Sequence, residues 1–392
     1  MAVPDPLDYD IHPKFGFVPE NPARELPSYY YPWMTFTVNV QDYVHNRTIR
    51  DKIKELPLLD HAHLGDDVRL LRLAHCLLTG LAQCYIWVDG FEGVPEILPR
   101  QIAVPLKGVS DKLNYPPSPM YHTSSLCNWK LKDPDGPIVP KNVETIFTMN
   151  GGEKESNFMT STLPYEFLAT EGLFAVSDAQ KAVLQGNGDN LAICLEKLKN
   201  CLQSLKKSLL VVRDGCDPEH FYHKIKPFAE GWDSPPFHKK NLKGIVFEGV
   251  SDEPIGCGPL TAAQTPTLPV FDAALGIKHT PEEERNRLLL RKAMPPAHVR
   301  FIIAVENGPS IKDFVESTKD PTCKDMYNSC IHAIKDFRSG HVQSVTSYGV
   351  IPGAKKARDS DDPEAIREMS KGNAELLGFL KGMRDSTGPT LD

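Results

Sequence analysis

The side chain with the most evident capacity for chemistry is His341, which interrupts an otherwise apolar stripe. Six residues recur at steps of three or four and fall on one face of a predicted helix: Met326, Cys330, Ile334, Phe337, His341 and Val345. A buried imidazole without partners for its ring nitrogens costs about 1–3 kcal/mol. A hydrogen-bonding group of the core can be that partner, and so can a metal, because haem iron is often held by a single helical histidine. The spacing alone favours the hydrogen-bonded core histidine and leaves the metal ligand open.

Two other groups have the spacing of metal ligands. His61 and His63 alternate as on a strand, and Glu219, His220 and His223 lie within about one helical turn. Neither group has the further ligands that a zinc site needs, so structural roles are favoured for both. The sequence also lacks a glycine-rich phosphate loop, a nucleophile elbow and a basic cluster.

Composition excludes several classes of protein. The chain has 392 residues, of which 41% are hydrophobic and 24% charged, as in ordinary globular proteins. A net charge of −7 argues against a nucleic-acid partner. No apolar run approaches the roughly 20 residues that span a bilayer, and the N-terminus does not resemble a secretory signal. Nine cysteines without close spacing favour a reducing compartment. We therefore expect a cytoplasmic monomer without a membrane or nucleic-acid partner.

The elements that must position these residues are predicted to be mostly helices. Besides the helix that carries His341, the pattern predicts helices over 48–55, 66–85, 157–175, 178–184, 189–212, 282–292, 296–307 and 363–384. Asp189 and Thr280 are the predicted N-caps, the latter followed by Pro281 and Glu284. A short strand is predicted at 143–149, and loops at 108–120 and 353–363.

These elements predict a mainly α fold in two parts. A small N-terminal domain, residues 1–150, is expected to be mostly helical with minor β structure. It would cap a larger helical domain, residues 151–392.

Six short motifs follow one another between about Pro27 and Pro352. They are Pro57-Leu-Leu-Asp-His61, Asn128-Trp-Lys-Leu-Lys-Asp-Pro134, Phe247-Glu-Gly-Val-Ser-Asp-Glu-Pro254, Phe271-Asp-Ala-Ala-Leu-Gly-Ile277, Met294-Pro-Pro-Ala-His298 and Arg338-Ser-Gly-His-Val-Gln343. Their succession resembles the indoleamine 2,3-dioxygenase family, haem proteins that open the indole ring of tryptophan. The resemblance implies haem b between the two domains, with His341 as its proximal ligand and only metal ligand.

The resemblance also implies roles on both sides of the haem. Arg338 and Asp272 would bridge to a haem propionate, and the alternative is a surface ion pair of little energetic value. The wall of the indole pocket would be formed by Tyr121, Ser124, Phe158, Thr162, Phe221, Tyr222, Lys226, Leu260 and Thr261. Taken alone, Tyr121 and Phe158 are better explained as ordinary core aromatics. The Thr162 hydroxyl could bond dioxygen or water.

Two positions depart from the family pattern. Lys226 stands where the family has an arginine that grips the substrate carboxylate, and a lysine offers charge without a two-pronged fork. Pro227 follows it and is expected to bend the chain. Pro259 and Leu260 replace glycines of the loop over the haem, which removes backbone freedom and adds bulk.

Two functions remain open at this point. The first is a dioxygenase that inserts dioxygen into the indole ring of L-tryptophan or a related indole to give N-formylkynurenine. The cofactor supplies that chemistry, so no catalytic protein side chain is expected. The second is a dioxygen carrier, because some molluscan myoglobins resemble this family and share the Glu-Gly-Val-Ser-Asp stretch at 248–252.

Overall fold

The computed structural model of this protein describes residues 2–209, 215–318, 320–360, 363–388 and 391. The described part is mainly α-helical with little strand, which confirms the predicted fold class. The longer helices span Tyr31–Val38, Val40–His45, Ile49–Glu55, Val68–Trp87, Arg100–Leu113, Gly152–Thr160, Leu163–Leu184, Gly188–Ser208, Thr267–Ala274, Pro281–Arg291, Pro296–Glu306, Ile311–Ser317, Pro321–Val345, Ile351–Asp359 and Pro363–Asp385.

Shorter helical segments connect these helices. One-turn α-helices span Pro218–His220 and Pro235–His238. The 3₁₀ segments span Pro6–Tyr9, Ser28–Tyr30, His61–Leu64, Phe91–Gly93, Pro140–Asn142, Lys226–Ala229 and Ala262–Gln264. Three π-helical turns span His122–Leu126, Phe221–Ile225 and Thr346–Val350. Turns with π geometry often occur at functional sites, so these three are candidates for such a site.

The strands form two small sheets. Ile97–Leu98 pairs in parallel with Ile245–Phe247, which pairs antiparallel with Pro254–Ile255. Lys130–Leu131 and Val143–Glu144 form the second, antiparallel sheet. The first sheet joins a segment before residue 150 to two segments far beyond it.

Three long helices form the scaffold of the C-terminal part. Gly188–Ser208 packs against both Leu163–Leu184 and Pro321–Val345. Asn187 caps the Gly188–Ser208 helix by accepting from the N–H of Asn190. Asp320 caps the Pro321–Val345 helix by accepting from the N–H of Thr322. The helix that carries His341 is therefore held along its length by packing and at its start by a cap.

The buried side chains form two apolar cores. The larger one lies around the three long helices, and the other lies around Val68–Trp87, a helix that is buried along almost its whole length. Leu260 packs against both cores. Each core also takes residues from both sides of position 150, for example Phe17 in the first and Phe247 in the second. The division into domains 1–150 and 151–392 stays a prediction.

Some predicted loops and strands are wrong. The 108–120 loop begins too early, because Arg100–Leu113 is a helix that ends at Asn114 in the left-handed conformation, with φ of 53°. The 353–363 loop is wrong because Ile351–Asp359 is a helix that buries Gly353 and Ala357, four residues apart. Residues 361 and 362 lie outside the described residues.

The predicted 143–149 strand is only two residues long. Beyond Glu144, side chains rather than a neighbouring strand satisfy the backbone N–H groups. Ser156 accepts from Thr145, and Asn128 accepts from Ile146 and Phe147. Residue type alone did not reveal these distant partners.

Helix boundaries differ from the predicted ones in several places. The 157–175 helix is two helices divided near Thr162, since Pro164 cannot continue the first but suits the first turn of the second. The second helix runs on through the separately predicted 178–184. Asn187 rather than Asp189 is the cap of the next helix, whose predicted end at 212 lies outside the described residues. The Thr280 cap is confirmed, but Glu283 and not Glu284 completes its capping box. Within the described ranges, no helix is both long and apolar enough to cross a bilayer.

We expect the protein to lose stability as the pH falls below about 6.5, the pKa of a histidine in an unfolded chain. Burial lowers the pKa of both His75 and His298 to about 4. Between these values the unfolded state binds more protons, so stability is full above the window and decreases as the pH falls through it. Each histidine should contribute a slope of about 1.4 kcal/mol per pH unit. Urea unfolding at several pH values measures it.

A variant comparison isolates this effect. Burial raises the pKa of Glu155 and Glu166, which acts in the opposite direction as the pH falls. The wild type should therefore be compared with His298→Gln, which should reduce the slope. An unchanged slope in this variant would contradict the assignment.

Candidate active site

His341 lies near the end of the Pro321–Val345 helix. Cys330 and Ile334 of the same stripe are completely buried, whereas His341 is half-buried. Among the described residues its ring nitrogens have no hydrogen-bond partner. The core histidine His75 differs, because its nitrogens lie 3.0 Å from Thr123 Oγ1 and 3.0 Å from the carbonyl oxygen of Pro116. The reading of His341 as a hydrogen-bonded core histidine therefore does not fit.

The surroundings of His341 favour the neutral form of its imidazole. Burial lowers its pKa, and the nearby charge of Arg338 lowers it further. A neutral imidazole has a nitrogen lone pair available, which is the form that binds a metal. Within the described residues no cluster of three or more His, Cys, Asp or Glu could hold a metal ion. A metal held at His341 would therefore find no such cluster of further ligands among these residues, and a cofactor could supply them.

Arg338 and Asp272 meet one turn before His341. Arg338 Nη2 lies 2.7 Å from Asp272 Oδ1 and 2.7 Å from Oδ2, and both residues are buried. Asp272 also contacts His279 Nε2 at 3.0 Å, and the second guanidinium nitrogen of Arg338 donates to Thr387. The alternative of a surface ion pair is wrong. Burial alone would raise the pKa of Asp272, but Arg338 and His279 hold it below its usual value.

Aromatic rings connect the predicted wall of the indole pocket to the segment that follows His341. The rings of Phe158 and Phe221 lie 4.6 Å apart, and those of Phe221 and Tyr348 lie 5.7 Å apart. Tyr348 belongs to the π turn Thr346–Val350 and donates to the carbonyl oxygen of Cys216 at 2.7 Å. The sequence analysis missed Tyr348, although its position seven residues after His341 places it on the same helical face.

Tyr121 and Thr162 lie together at a buried carboxylate. The Tyr121 hydroxyl donates to Glu166 Oε1 at 3.1 Å, and the Thr162 hydroxyl lies beside it. Thr162 itself donates to the carbonyl oxygen of Met159 at 2.8 Å. Glu166 was also not predicted as a residue of the site. The sequence signal that could have indicated it is a single acidic residue within the apolar run 163–169.

Ser124 and Leu260 line one small cavity of about 20 Å³ together with Met159. A volume of this size holds about one water molecule. The backbone N–H of Leu260 donates to the carbonyl oxygen of Ala229 at 2.8 Å. Thr261 Oγ1 accepts from the N–H of Ala263 at 3.2 Å, so its hydroxyl caps the Ala262–Gln264 turn. Leu260 is thus bonded to the end of the Lys226–Ala229 segment, whereas Thr261 is bonded within its own loop.

Lys226 is already paired within the chain. Its ammonium forms an ion pair with Glu230 and lies 5.8 Å from the centre of the Tyr222 ring. The helix changes from π to 3₁₀ geometry at Lys226, where Pro227 follows. The structure therefore places Lys226 near the predicted pocket but with its charge compensated.

Tyr222 faces the Ile351–Asp359 helix. A side-chain carbon on Gly353 would come within 2.9 Å of the Tyr222 hydroxyl oxygen, so the glycine permits this close approach. The π turn Phe221–Ile225 thus contacts the two elements that directly follow the His341 helix. Phe221 contacts the turn Thr346–Val350, and Tyr222 contacts the helix Ile351–Asp359.

The other candidate metal ligands have structural partners. His223 Nε2 lies 3.4 Å from Glu219 Oε2, and His220 Nε2 lies 3.2 Å from the carbonyl oxygen of Gly151. His61 lies 3.7 Å from Asp60. The structural roles favoured from the sequence agree with these contacts.

A buried tyrosine borders the same region. The Tyr165 hydroxyl is buried and has no hydrogen-bond partner within the described residues. Its ring lies 5.9 Å from that of Phe337, one turn before His341. Tyr165 follows Thr162 by one turn, so it lies between the Thr162 region and the His341 helix. A buried hydroxyl without a partner is costly, so this one is available to a polar group beyond the described residues.

Comparisons with known proteins show the family of the chain. The sequence model of the indoleamine 2,3-dioxygenase family matches residues 5–390. Indoleamine 2,3-dioxygenase 2 of Mus musculus is 34% identical over 384 residues, which cover 97% of this chain and 93% of that protein. Indoleamine 2,3-dioxygenase 1 of Rattus norvegicus is 31% identical over 390 residues, 98% of this chain and 95% of that protein. A myoglobin of Haliotis madaka is 30% identical over 380 residues, 97% of each chain. With a match that extends over nearly its whole length, this chain belongs to the indoleamine 2,3-dioxygenase family.

Proposed function

We propose that this protein is a haem-dependent dioxygenase that converts L-tryptophan or a related indole to the ring-opened N-formyl product. The observation that carries the proposal is the half-buried imidazole of His341, which has no hydrogen-bond partner among the described residues and lies one turn after a buried Arg338–Asp272 pair. The family membership of the chain and the names of its dioxygenase relatives support it.

The residues present fit a haem b group. His341 would hold the iron, and no cluster of protein ligands in the described ranges competes for the metal. Arg338 is a buried cation suited to a propionate. The Tyr165 hydroxyl, without a partner among the described residues, could bond a further polar group in the same region. When bound, the haem would supply the iron chemistry that activates dioxygen toward the indole ring.

The side chains of this chain would bind and orient the substrate. His341 holds the cofactor, and Asp272 fixes the orientation of Arg338. The rings of Phe158 and Phe221 offer apolar faces to an indole. The Thr162 hydroxyl is a polar group on the same wall. We assign no acid–base role to a protein side chain, since the reaction needs none beyond the cofactor.

The proposal extends to the setting of the protein. All nine cysteines are free thiols, which favours a reducing compartment such as the cytoplasm. Dioxygen and the indole are the proposed partners, and the proposed state is a monomer.

The alternative is a dioxygen carrier. The observation that favours it is the Lys226–Glu230 ion pair, which compensates the charge expected to grip a substrate carboxylate. The myoglobin of Haliotis madaka, similar over 97% of this chain, shows that the family includes proteins with that name. An assay separates the two functions: ferrous haem-loaded protein is mixed with L-tryptophan and oxygen, and the near-ultraviolet absorbance of the product is followed. Turnover supports the enzyme, and a lasting oxygen complex without product supports the carrier.

We expect L-tryptophan to bind poorly, because its carboxylate must compete with Glu230 for a lysine that lacks a two-pronged fork. One lost charge-assisted hydrogen bond costs about 1.5–3 kcal/mol, or roughly ten- to a hundredfold in affinity. Glu230→Gln, which releases Lys226, and Lys226→Arg should each tighten the binding of L-tryptophan. Tryptamine, which has no carboxylate, should respond to neither change. Ferrous-haem titrations with both indoles measure these effects.

The control for this experiment is Glu316→Gln, which removes an exposed ion pair with Lys312, also four residues away, and should leave both affinities unchanged. Tight binding of L-tryptophan to the wild type, undiminished by Lys226→Ala, would show that another group binds the carboxylate.

A further inference from the structure

Glu166 is a completely buried carboxylate for which the proposed reaction has no use. Its oxygens accept from three hydroxyl groups: Tyr121 at 3.1 Å, Thr265 at 2.7 Å and Thr267 at 2.8 Å. Among the described residues it has no ion pair with a lysine, arginine or histidine. The three donors come from two separate parts of the chain, so the carboxylate joins them.

A second contact fastens the same parts together. Gln264 Oε1 accepts from the backbone N–H of Tyr121 at 2.9 Å, and Gln264 Nε2 donates to the carbonyl oxygen of Pro259 at 3.2 Å. Residues 259–267, here called the pocket segment, are thus held to Tyr121 by Gln264 and to Glu166 by Thr265 and Thr267. The side chains of Tyr121, Gln264 and Thr267 are all buried.

Stability alone does not account for a carboxylate at this position. Burial raises the pKa of Glu166, and only the hydroxyl groups of Thr265, Thr267 and Tyr121 act against that effect. An apolar side chain of similar size would avoid the loss of hydration. An apolar side chain could not orient three hydroxyl groups at once, because it accepts no hydrogen bonds.

The groups that Glu166 joins are the ones that border the candidate pocket. Tyr121 and Thr162 lie with their hydroxyl groups side by side. The pocket segment carries Leu260 and Thr261, and Leu260 packs against both apolar cores. The position of Glu166 therefore sets the distance between the Tyr121 wall and the Leu260 wall.

We propose that Glu166 is a positioning residue, which holds the pocket segment closed against Tyr121 and so shapes the site that receives the indole. The link to the indole rests on the proposed function, whereas the closure itself does not. Glu166 touches neither substrate nor cofactor in this role, and its effect is transmitted through Tyr121 and the pocket segment.

The test compares pairs of variants that differ in one hydrogen bond. Thr267→Val keeps the shape of the side chain and removes the donor, whereas Thr267→Ser keeps the donor. Glu166→Gln removes the charge, and Glu171→Gln, at an exposed position on the same helix, is the matched control. Amide hydrogen exchange of residues 259–267 is measured in the haem-loaded protein, together with a ferrous-haem titration with L-tryptophan.

We expect Glu166→Gln and Thr267→Val to speed exchange in the pocket segment by about tenfold or more, the loss typical of one charge-assisted hydrogen bond. Exchange in the rest of the Leu163–Leu184 helix should stay as in the wild type. The affinity for L-tryptophan should fall by a similar factor, and Thr267→Ser and Glu171→Gln should behave as the wild type.

Each other outcome decides a different point. Unchanged exchange in the pocket segment of both Glu166→Gln and Thr267→Val would overturn the closure. Faster exchange with unchanged tryptophan affinity would overturn the positioning role. If the wild type binds no indole, the proposed function fails while the exchange measurement still decides whether Glu166 holds the segment. The Thr267 pair decides the closure even if Glu166→Gln does not fold.

Discussion

The His341→Ala variant is expected to fold and to contain almost no haem after purification. The physical reason is that His341 is a neutral imidazole with no hydrogen-bond partner among the described residues, on a helix whose stripe is otherwise apolar. Its removal would take away the side chain that holds the iron without breaking a hydrogen bond among the described residues. The measurements are the Soret absorbance and the ratio of haem to protein.

A matched control is His332→Ala, because His332 is exposed on the same helix. That variant should bind haem as the wild type does. Added imidazole should partly restore the Soret band of His341→Ala, since the small molecule can occupy the space of the lost ring. A normal spectrum and a full complement of haem in His341→Ala would mean that another residue holds the iron.

The second large effect is expected at the buried ion pair. Arg338→Ala leaves Asp272 as a buried carboxylate without its main partner, which costs about 3–5 kcal/mol in comparable proteins. The free energy of unfolding, measured with urea on the haem-free chain, reports this loss independently of the cofactor. In the haem-loaded protein, haem dissociation should be faster as well, because Arg338 is the proposed partner of a propionate.

The stability of Arg338→Ala is compared with that of a variant that lacks an exposed ion pair and with that of a double variant. Asp111→Asn removes the partner of Lys107 on the surface and should cost less than about 1 kcal/mol. Replacing Asp272 and Arg338 together by apolar residues should be less damaging than Arg338→Ala alone, since no unpaired charge remains. A loss below 1 kcal/mol in Arg338→Ala, with unchanged haem dissociation, would contradict the role of the pair.

Much of the proximal side could be predicted from the sequence because its signals are local. The stripe around His341 depends on helical periodicity, and the structure has that helix at Pro321–Val345. The pairing of Asp272 with Arg338 is different, since the two residues lie 66 positions apart and only the fold brings them together. That contact entered through the family resemblance and not through spacing.

The parts that could not be predicted depend on distant partners. Glu166 is one acidic residue in an apolar run, and its significance appears only when Thr265 and Thr267 meet it from another segment. Lys226 shows the reverse case, because its charge suggested a free carboxylate grip until the structure placed Glu230 beside it. The Ile351–Asp359 helix was missed because its many charges concealed two small buried positions.

The most direct test of the central proposal is the source of oxygen in the product. Ferrous haem-loaded protein is mixed with L-tryptophan under ¹⁸O₂, and the mass of the product is measured, with His341→Ala as the control. The account predicts N-formylkynurenine that carries two ¹⁸O atoms, formed by the wild type and not by His341→Ala. A protein whose haem binds oxygen reversibly and which leaves tryptophan unchanged would contradict it and would identify a carrier.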